Sequence, residues 1–317
     1  MKHFNSKLSI IFAIILSLIS FGAFKNATPL NQEIHAPINL NIDSLQVLID
    51  TYVHTKESDK KKEEFQKLIA RIQSYTSSIN GSRAIVFRRV KYLLFVANMD
   101  SDDIQMHLYQ ARTSKKNLFS LGAVKKELEE EKRQALMITN AGMFTPDFEP
   151  EGLYIEEKSK YFFALDTGRD IPNANFYLKP NGVFYLDAKH TAHIDSTEIL
   201  MLQSNRALRN LKLATQSGPL LVSGGEIHRA FKQGSKNLRI RSGVGLEKNN
   251  QKKIVFALTR NESNFYDFAL FFRDIFNCDN ALFLDGAISQ MYLFDLNSKE
   301  LGGHFGPMIS VSRKRSN

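Results

Sequence analysis

Four short segments set a polar or charged side chain beside a glycine at the end of an apolar run. Glycine lets a backbone approach a ligand closely, and the neighbouring polar residue supplies the working group. In Phe283-Leu284-Asp285-Gly286-Ala287-Ile288-Ser289 an acid closes an apolar run. Such an acid is costly unless paired or used, and its pKa is open to tuning. Asp285 is a candidate base, nucleophile or metal ligand, with a plain Asp-Gly turn as the alternative. In Arg239-Ile240-Arg241-Ser242-Gly243-Val244-Gly245, alternation sets Arg239 and Arg241 on the same side of an extended segment. Guanidinium suits bidentate phosphate recognition; a pair of surface arginines is the alternative. In Thr139-Asn140-Ala141-Gly142, the Asn140 amide could orient a sugar hydroxyl or a phosphate oxygen, or close an Asx turn. In Thr215-Gln216-Ser217-Gly218-Pro219, N–H groups around Ser217 and Gly218 could cradle an anion, or form a tight turn into Leu220-Leu221-Val222.

Several chemistries are excluded by spacing. Gly243 and Gly245 do not complete a dinucleotide fingerprint, and no phosphate-loop lysine follows. Ser217 is not in a nucleophile elbow. Cys278 is the single cysteine, so the chain has no internal disulfide and no cysteine cluster for zinc. Its apolar setting reads as burial. His190 and His193 have no obvious third ligand, and His228 and His304 read as surface residues. No cofactor is expected, and nothing indicates a divalent cation on Asp285. The net charge of +9 is scattered. Its densest runs, Lys60-Lys61-Lys62 and Arg313-Lys314-Arg315, lack interleaved aromatics, which argues against nucleic acid.

The elements that must position these groups follow from hydrophobic period. Leu45, Leu48, Ile49 and Tyr52 share one helical face, and Glu63 to Ser78 reads as a second helix ending at Asn80-Gly81. From Arg83 the texture turns to short β-rich runs: 84–90, 92–97, 104–109, 136–139, 161–165, 176–178, 183–186, 220–222, 254–259, 281–284 and 306–311. Val124 to Ala135 and Asn264 to Phe276 read as helices. Lys179-Pro180-Asn181-Gly182 predicts a turn, and residues 176–187 a hairpin. Many strands with few helices predict an α+β fold. Its core is expected to be a twisted, mostly antiparallel mixed β-sheet with flanking helices, preceded by a short N-terminal helical segment.

The N-terminus carries Lys2, His3 and Lys7 before an uncharged apolar run from Leu8 to Phe24. This is the pattern of an export signal, either cleaved or retained as an anchor. The expected organisation is a signal peptide or anchor over 1–24, a linker over 25–42, a helical appendage over 43–82 and the main domain over 83–317. Membrane contact is expected only through the N-terminal segment, with the rest exported to periplasm or medium.

Taken in order, six motifs resemble the phosphodiester glycosidase family over roughly residues 84–312. They are Asn140-Ala141-Gly142-Met143-Phe144, Gly152-Leu153-Tyr154-Ile155-Glu156, Lys179-Pro180-Asn181-Gly182-Val183-Phe184, Ala214-Thr215-Gln216-Ser217-Gly218-Pro219, Arg241-Ser242-Gly243-Val244-Gly245 and Asn280-Ala281-Leu282-Phe283-Leu284-Asp285-Gly286. The resemblance implies hydrolysis of the bond between a sugar's anomeric carbon and a phosphate, with a glycan or glycosyl phosphate as substrate. It implies Asp285, Arg241 and Asn140 as catalytic groups. Substrate contacts are expected from Gly142, Gln216, Ser217, Gly218, Arg239, Gly243, Gly286 and Ser289. Phosphate is a good leaving group, so one carboxylate and one arginine can suffice where ordinary glycosidases need two carboxylates. Glu151, Glu156 and Glu262 are the candidates for a second acid. The family reads glycine where this chain has Ala141, Ala287 and Ile288. Two rival readings are a phosphoglycan-binding module without catalysis and an envelope protein whose helical segment recruits a partner.

Overall fold

The structure is a computed structural model that describes residues 42–55, 62–112, 116–156, 161–168, 174–203, 207–208 and 210–315. The expected signal segment over 1–24 and the linker to residue 41 lie outside the described residues. Two helices open the described chain, α1 (Ile42–His54) and α2 (Lys62–Ser77). The hairpin β1 (Gly81–Phe87) and β2 (Val90–Asn98) follows, then β3 (Ile104–Gln110), α3 (Leu121–Glu130) and β4 (Arg133–Asn140). Next come β5 (Tyr154–Glu156), β6 (Tyr161–Phe163), β7 (Gly182–Leu186), β8 (Ala192–Ser196), α4 (Thr197–Met201), β9 (Leu213–Ser217), β10 (Leu220–Ser223) and β11 (Glu226–Ile227). The chain closes with β12 (Ser242–Glu247), β13 (Asn250–Thr259), α5 (Phe265–Leu270), β14 (Cys278–Asp285), β15 (Met291–Leu293) and β16 (Pro307–Lys314).

The strands form three sheets, ordered β1-β2-β13-β12-β14-β10-β11, β15-β4-β16-β3 and β6-β5-β9-β7-β8. The fold is α+β as expected, with antiparallel pairing between the described neighbours.

Alternation along the central strands explains the layering. On β2 and β13, Leu94, Val96, Val255 and Ala257 face one core, and Phe95, Ala97, Phe256 and Leu258 face another. Both faces of the seven-stranded sheet are thus buried, which is why these strands read as continuous apolar runs. On the first face lie α1, α2, α5 and the π-helical turn Phe271–Ile275 that continues α5, through Leu48, Ile49, Tyr52, Ile72 and an aromatic group that includes Phe268, Phe271 and Phe272. Tyr52 donates to Asp274 Oδ2 (2.5 Å), and Thr76 Oγ1 donates to Ile275 O (2.7 Å), so the helical pair is bonded into this layer. The other face meets the four- and five-stranded sheets, and α3 covers the far side of the four-stranded one.

Three local expectations are corrected. Residues 175–177 form a 3-10 turn rather than a strand, and β7 pairs with β8 instead. The helix expected over 124–135 stops at Glu130, because Lys132 adopts φ +57° and the chain turns into β4. The β1–β2 hairpin turns at Arg88-Arg89, both with positive φ (49° and 66°). Glycine or asparagine is the usual signal at such a turn, so arginine there conceals it.

Candidate active site

Asp285 ends β14 at a β-bulge. Ser242 pairs with Asp285 and Gly243 with Phe283, which leaves Leu284 unopposed. A bulge re-aims the next side chain. Strict alternation would set Asp285 with Phe283, among the aromatics of the helical face. Instead its carboxyl meets β4, where Asn140 Nδ2 donates to Asp285 Oδ2 (3.1 Å). The backbone N–H of Gly286 donates to Asp285 Oδ1 (2.6 Å).

A serine pair locks this arrangement. Asn140 Nδ2 also reaches Ser289 Oγ (3.2 Å), and Ser289 Oγ lies 3.0 Å from Ser242 Oγ. Ser242 Oγ in turn lies 3.2 Å from both the N and the O of Asp285. The N–H of Ser289 closes a tight turn onto Gly286 O (2.9 Å). That turn leaves Ala287 and Ile288 exposed at its tip. Desolvation dominates the electrostatics: burial pushes the Asp285 pKa up from 3.8 to about 6, against the opposing bonds from Gly286 and Asn140. A carboxylate poised near neutrality suits proton transfer.

The structure brings Asn140, Gly286 and Ser289 to Asp285. Gly142 lies two residues along from Asn140, where its N–H meets Thr215 Oγ1 (3.1 Å). A Cβ there would stand 2.3 Å from Gln216 O, so glycine permits the close approach of β9 to this loop. Ser217 contributes from behind, donating through Oγ to Leu284 O at the bulge (2.7 Å).

Other expected ligand groups are occupied elsewhere. Gln216 Oε1 accepts from the N–H groups of Leu153 (2.8 Å) and Asp166 (2.9 Å). Its Nε2 donates to Asp166 O (2.7 Å) and Thr197 Oγ1 (3.2 Å). All four positions of the amide are used, so it pins loops together and has no bond left for a sugar. Gly218 is packed against Asn181 and the carbonyls of residues 175 and 176. At Gly243 a Cβ would meet Leu282 O at 2.9 Å and the rings of Phe268 and Phe272. That glycine lets α5 lie flat on the sheet.

Arg241 shares the α5 face with Gly243, while Ser242 between them holds Ser289 on the other. Its guanidinium sits 3.6 Å over the Phe265 ring and donates to Ser263 O (2.7 Å) and Asn237 O (2.9 Å). It is 1% exposed. Burial first, and the neighbouring charge of Arg239 second, lower its pKa to about 10. Arg241 thus lies on the α5 face, whereas the Asp285 carboxyl lies on the other face, against Asn140. Arg239 is the exposed guanidinium of the pair, in a bridge with Ser263.

Of the candidate second acids, Glu156 is buried and accepts from Gln110 N and Tyr154 Oη (both 2.9 Å). Glu262 is exposed. Glu151 is tied to the Asn140 loop by its N–H, which donates to Met143 O (2.9 Å). Burial and the nearby charge of Asp166 raise its pKa. Asp166, Thr215 and Ser242 were not singled out from sequence. Thr215 and Ser242 lie within recognised motifs, and only the three-dimensional register shows what they hold. Among the described residues, no group of three or more His, Cys, Asp or Glu side chains could hold a metal.

Residues 133–311 match the phosphodiester glycosidase family. The uncharacterized protein YigE of Escherichia coli (strain K12) is 34% identical over 182 residues, covering 57% of this chain and 67% of YigE. Among solved structures, the catalytic domain of zebrafish N-acetylglucosamine-1-phosphodiester alpha-N-acetylglucosaminidase, auto-inhibited by its pro-peptide, aligns with a TM-score of 0.46 and 14% identity. That alignment covers 75% of this chain and 87% of the zebrafish domain. A hypothetical protein from Synechocystis aligns with a TM-score of 0.44 and 12% identity, over 73% of this chain and 61% of its own. With more than half of its length matched, this chain belongs to the phosphodiester glycosidase family.

Proposed function

We propose that the chain is an exported hydrolase that cleaves sugar-1-phosphodiesters of envelope or extracellular glycans. The observation that carries this reading is Asp285: a carboxyl turned by a bulge towards Asn140, half-buried, and raised to a pKa of about 6. In the reaction, water attacks the anomeric carbon, the bond from that carbon to the phosphate oxygen breaks, and a phosphate monoester leaves. Ionised Asp285 takes the proton of the attacking water or offsets the positive charge that builds on the sugar. The leaving phosphate needs little protonation, and Glu151, with its raised pKa, is the candidate to supply any.

The test is hydrolysis of a sugar-1-phosphodiester by the purified protein, with Asp285→Asn as control. Undiminished turnover by that variant would sink the mechanism. Glycan binding without turnover by the unaltered protein would favour the binding-module reading. Export rests on the basic residues ahead of the apolar run Leu8 to Phe24. Fusing residues 1–24 to a reporter active only outside the cytoplasm tests it: a silent fusion would refute export.

A further inference from the structure

A second surface, next to the loop that carries Asn140, gathers aromatic rings that the mechanism above does not use. Phe119 and Phe148 meet edge to face at 5.2 Å, and the exposed His304 lies 4.8 Å from Phe119 and 4.5 Å from Phe148. Phe144 stacks behind Phe148 at 5.9 Å, and Arg112 sits 5.7 Å over the Phe119 ring. The three phenylalanines are only partly buried.

Phe148 occupies a position that its side chain does not favour. Its N–H donates to Thr145 O (2.8 Å) and Thr145 N–H donates to Glu149 O (2.8 Å), closing a three-residue hairpin loop over Pro146, Asp147 and Phe148. The last residue of such a loop takes the left-handed conformation that glycine accepts freely. Phe148 adopts it, with φ +65°. A bulky residue held there signals a constraint that outweighs local preference. Gln110 supports the strained residue by donating through Nε2 to Phe148 O (2.7 Å).

The patch is coupled to the candidate site through the chain. A side chain at Gly306 would meet Phe144 at 2.7 Å and Phe148 O at 2.8 Å, so this loop and the start of β16 are packed tightly. Two residues later Met308 pairs with Asn140. Partly exposed rings, the cationic Arg112 beside them and a route to the reacting end fit a chain of pyranose rings. The axial C–H groups of a pyranose carry partial positive charge and meet the negative face of an aromatic ring.

We propose that Phe119, Phe148 and His304 form a stacking platform for a pyranose ring of the glycan substrate, beyond the bond that Asp285 attacks. This rests on the glycan reading of the proposed function. The test uses Phe148→Gly, which removes the ring and installs the residue that the backbone conformation suits. Binding is read on an array of immobilised pyranose oligosaccharides, with folding followed by thermal unfolding. The expected result is a loss of affinity of about tenfold or more for the oligosaccharides bound by the unaltered protein, with Tm unchanged or raised. His304→Ala should lower the same affinities. A fall in Tm with affinities unchanged would show that the ring only packs the loop, and would overturn the platform. So would an unaltered protein that hydrolyses a sugar-1-phosphodiester yet binds nothing on the array. Binding that depends on Phe148 in a protein without hydrolysis would keep the platform and remove the hydrolase.

Discussion

Replacing Asp285 by asparagine should abolish hydrolysis and stabilise the fold, and the stabilisation should depend on pH. The carboxyl has an ordinary value of 3.8 and is raised to about 6 in the folded chain, chiefly by burial. Below about pH 4 the folded and unfolded chains both hold the proton, so the group costs nothing. Between about pH 4 and 6 the unfolded chain releases its proton while the folded chain keeps it, so stability falls as pH rises. Above about pH 6 the folded chain carries the whole cost of an ionised, desolvated carboxylate. A gap of roughly two pH units at ~1.4 kcal/mol each puts that cost at about 3 kcal/mol. Asparagine avoids the charge but keeps one acceptor where the carboxylate has two. The donors from Gly286 and Asn140 then compete for it, which returns about 1 kcal/mol. The expected net gain is about 2 kcal/mol near pH 7 and close to zero or slightly negative near pH 4. Thermal unfolding of both proteins at the two pH values measures it. A variant no more stable than the unaltered chain near pH 7, or equally stabilised at both values, would refute the desolvation argument.

The remaining expectations concern neighbours of that carboxyl. Hydrolysis should rise with pH through about 6, because the ionised form acts. Asn140→Ala removes one of the bonds that lower this pKa, so the midpoint of kcat/KM should move up by roughly one pH unit; a downward shift would exclude the role given to Asn140. Gly142→Ala would press a methyl group to 2.3 Å from Gln216 O and 2.6 Å from Thr215 Oγ1. It should cost about 2 kcal/mol or more in denaturant unfolding, since backbone is slow to yield. Arg241→Ala should cost about 3 kcal/mol by removing the stack on Phe265 and the bonds to Ser263 and Asn237. Unchanged stability with a raised KM would instead mark Arg241 as a substrate ligand.

Secondary structure was legible wherever period and burial agreed. The helices α1 and α2 and the strands β2, β13 and β14 follow directly from apolar spacing, because packing on one or both faces enforces that spacing. It was less legible where the backbone broke a local preference. Arg88-Arg89 turns a hairpin with two positive φ values, and Phe148 sits where glycine is usual. β8 was hidden by polar residues, because its His193 and Asp195 stay partly exposed at the edge of its sheet.

The site divides in the same way. Motif order was enough to name the family, and the resemblance pointed to Asn140, Asp285, Gly286 and Ser289; residue type alone marked Asp285, since an acid at the end of an apolar strand must be used or paired. Sequence alternation predicts Arg239 and Arg241 on one side of an extended segment, and the fold buries Arg241 while leaving Arg239 exposed. What alternation could not supply was the side on which Asp285 would emerge. That depends on one unopposed residue, Leu284, whose bulge follows from the register between β12 and β14. The bulge sends the carboxyl to Asn140 and leaves Arg241 on the α5 face with its bonds to Ser263 and Asn237. Likewise, Gln216 carries a ligand-like amide in sequence, and only the fold shows its four hydrogen-bonding positions filled by Leu153, Asp166 and Thr197. Residue type sets what a side chain can do, whereas strand register and hydrogen-bond occupancy decide what it is free to do.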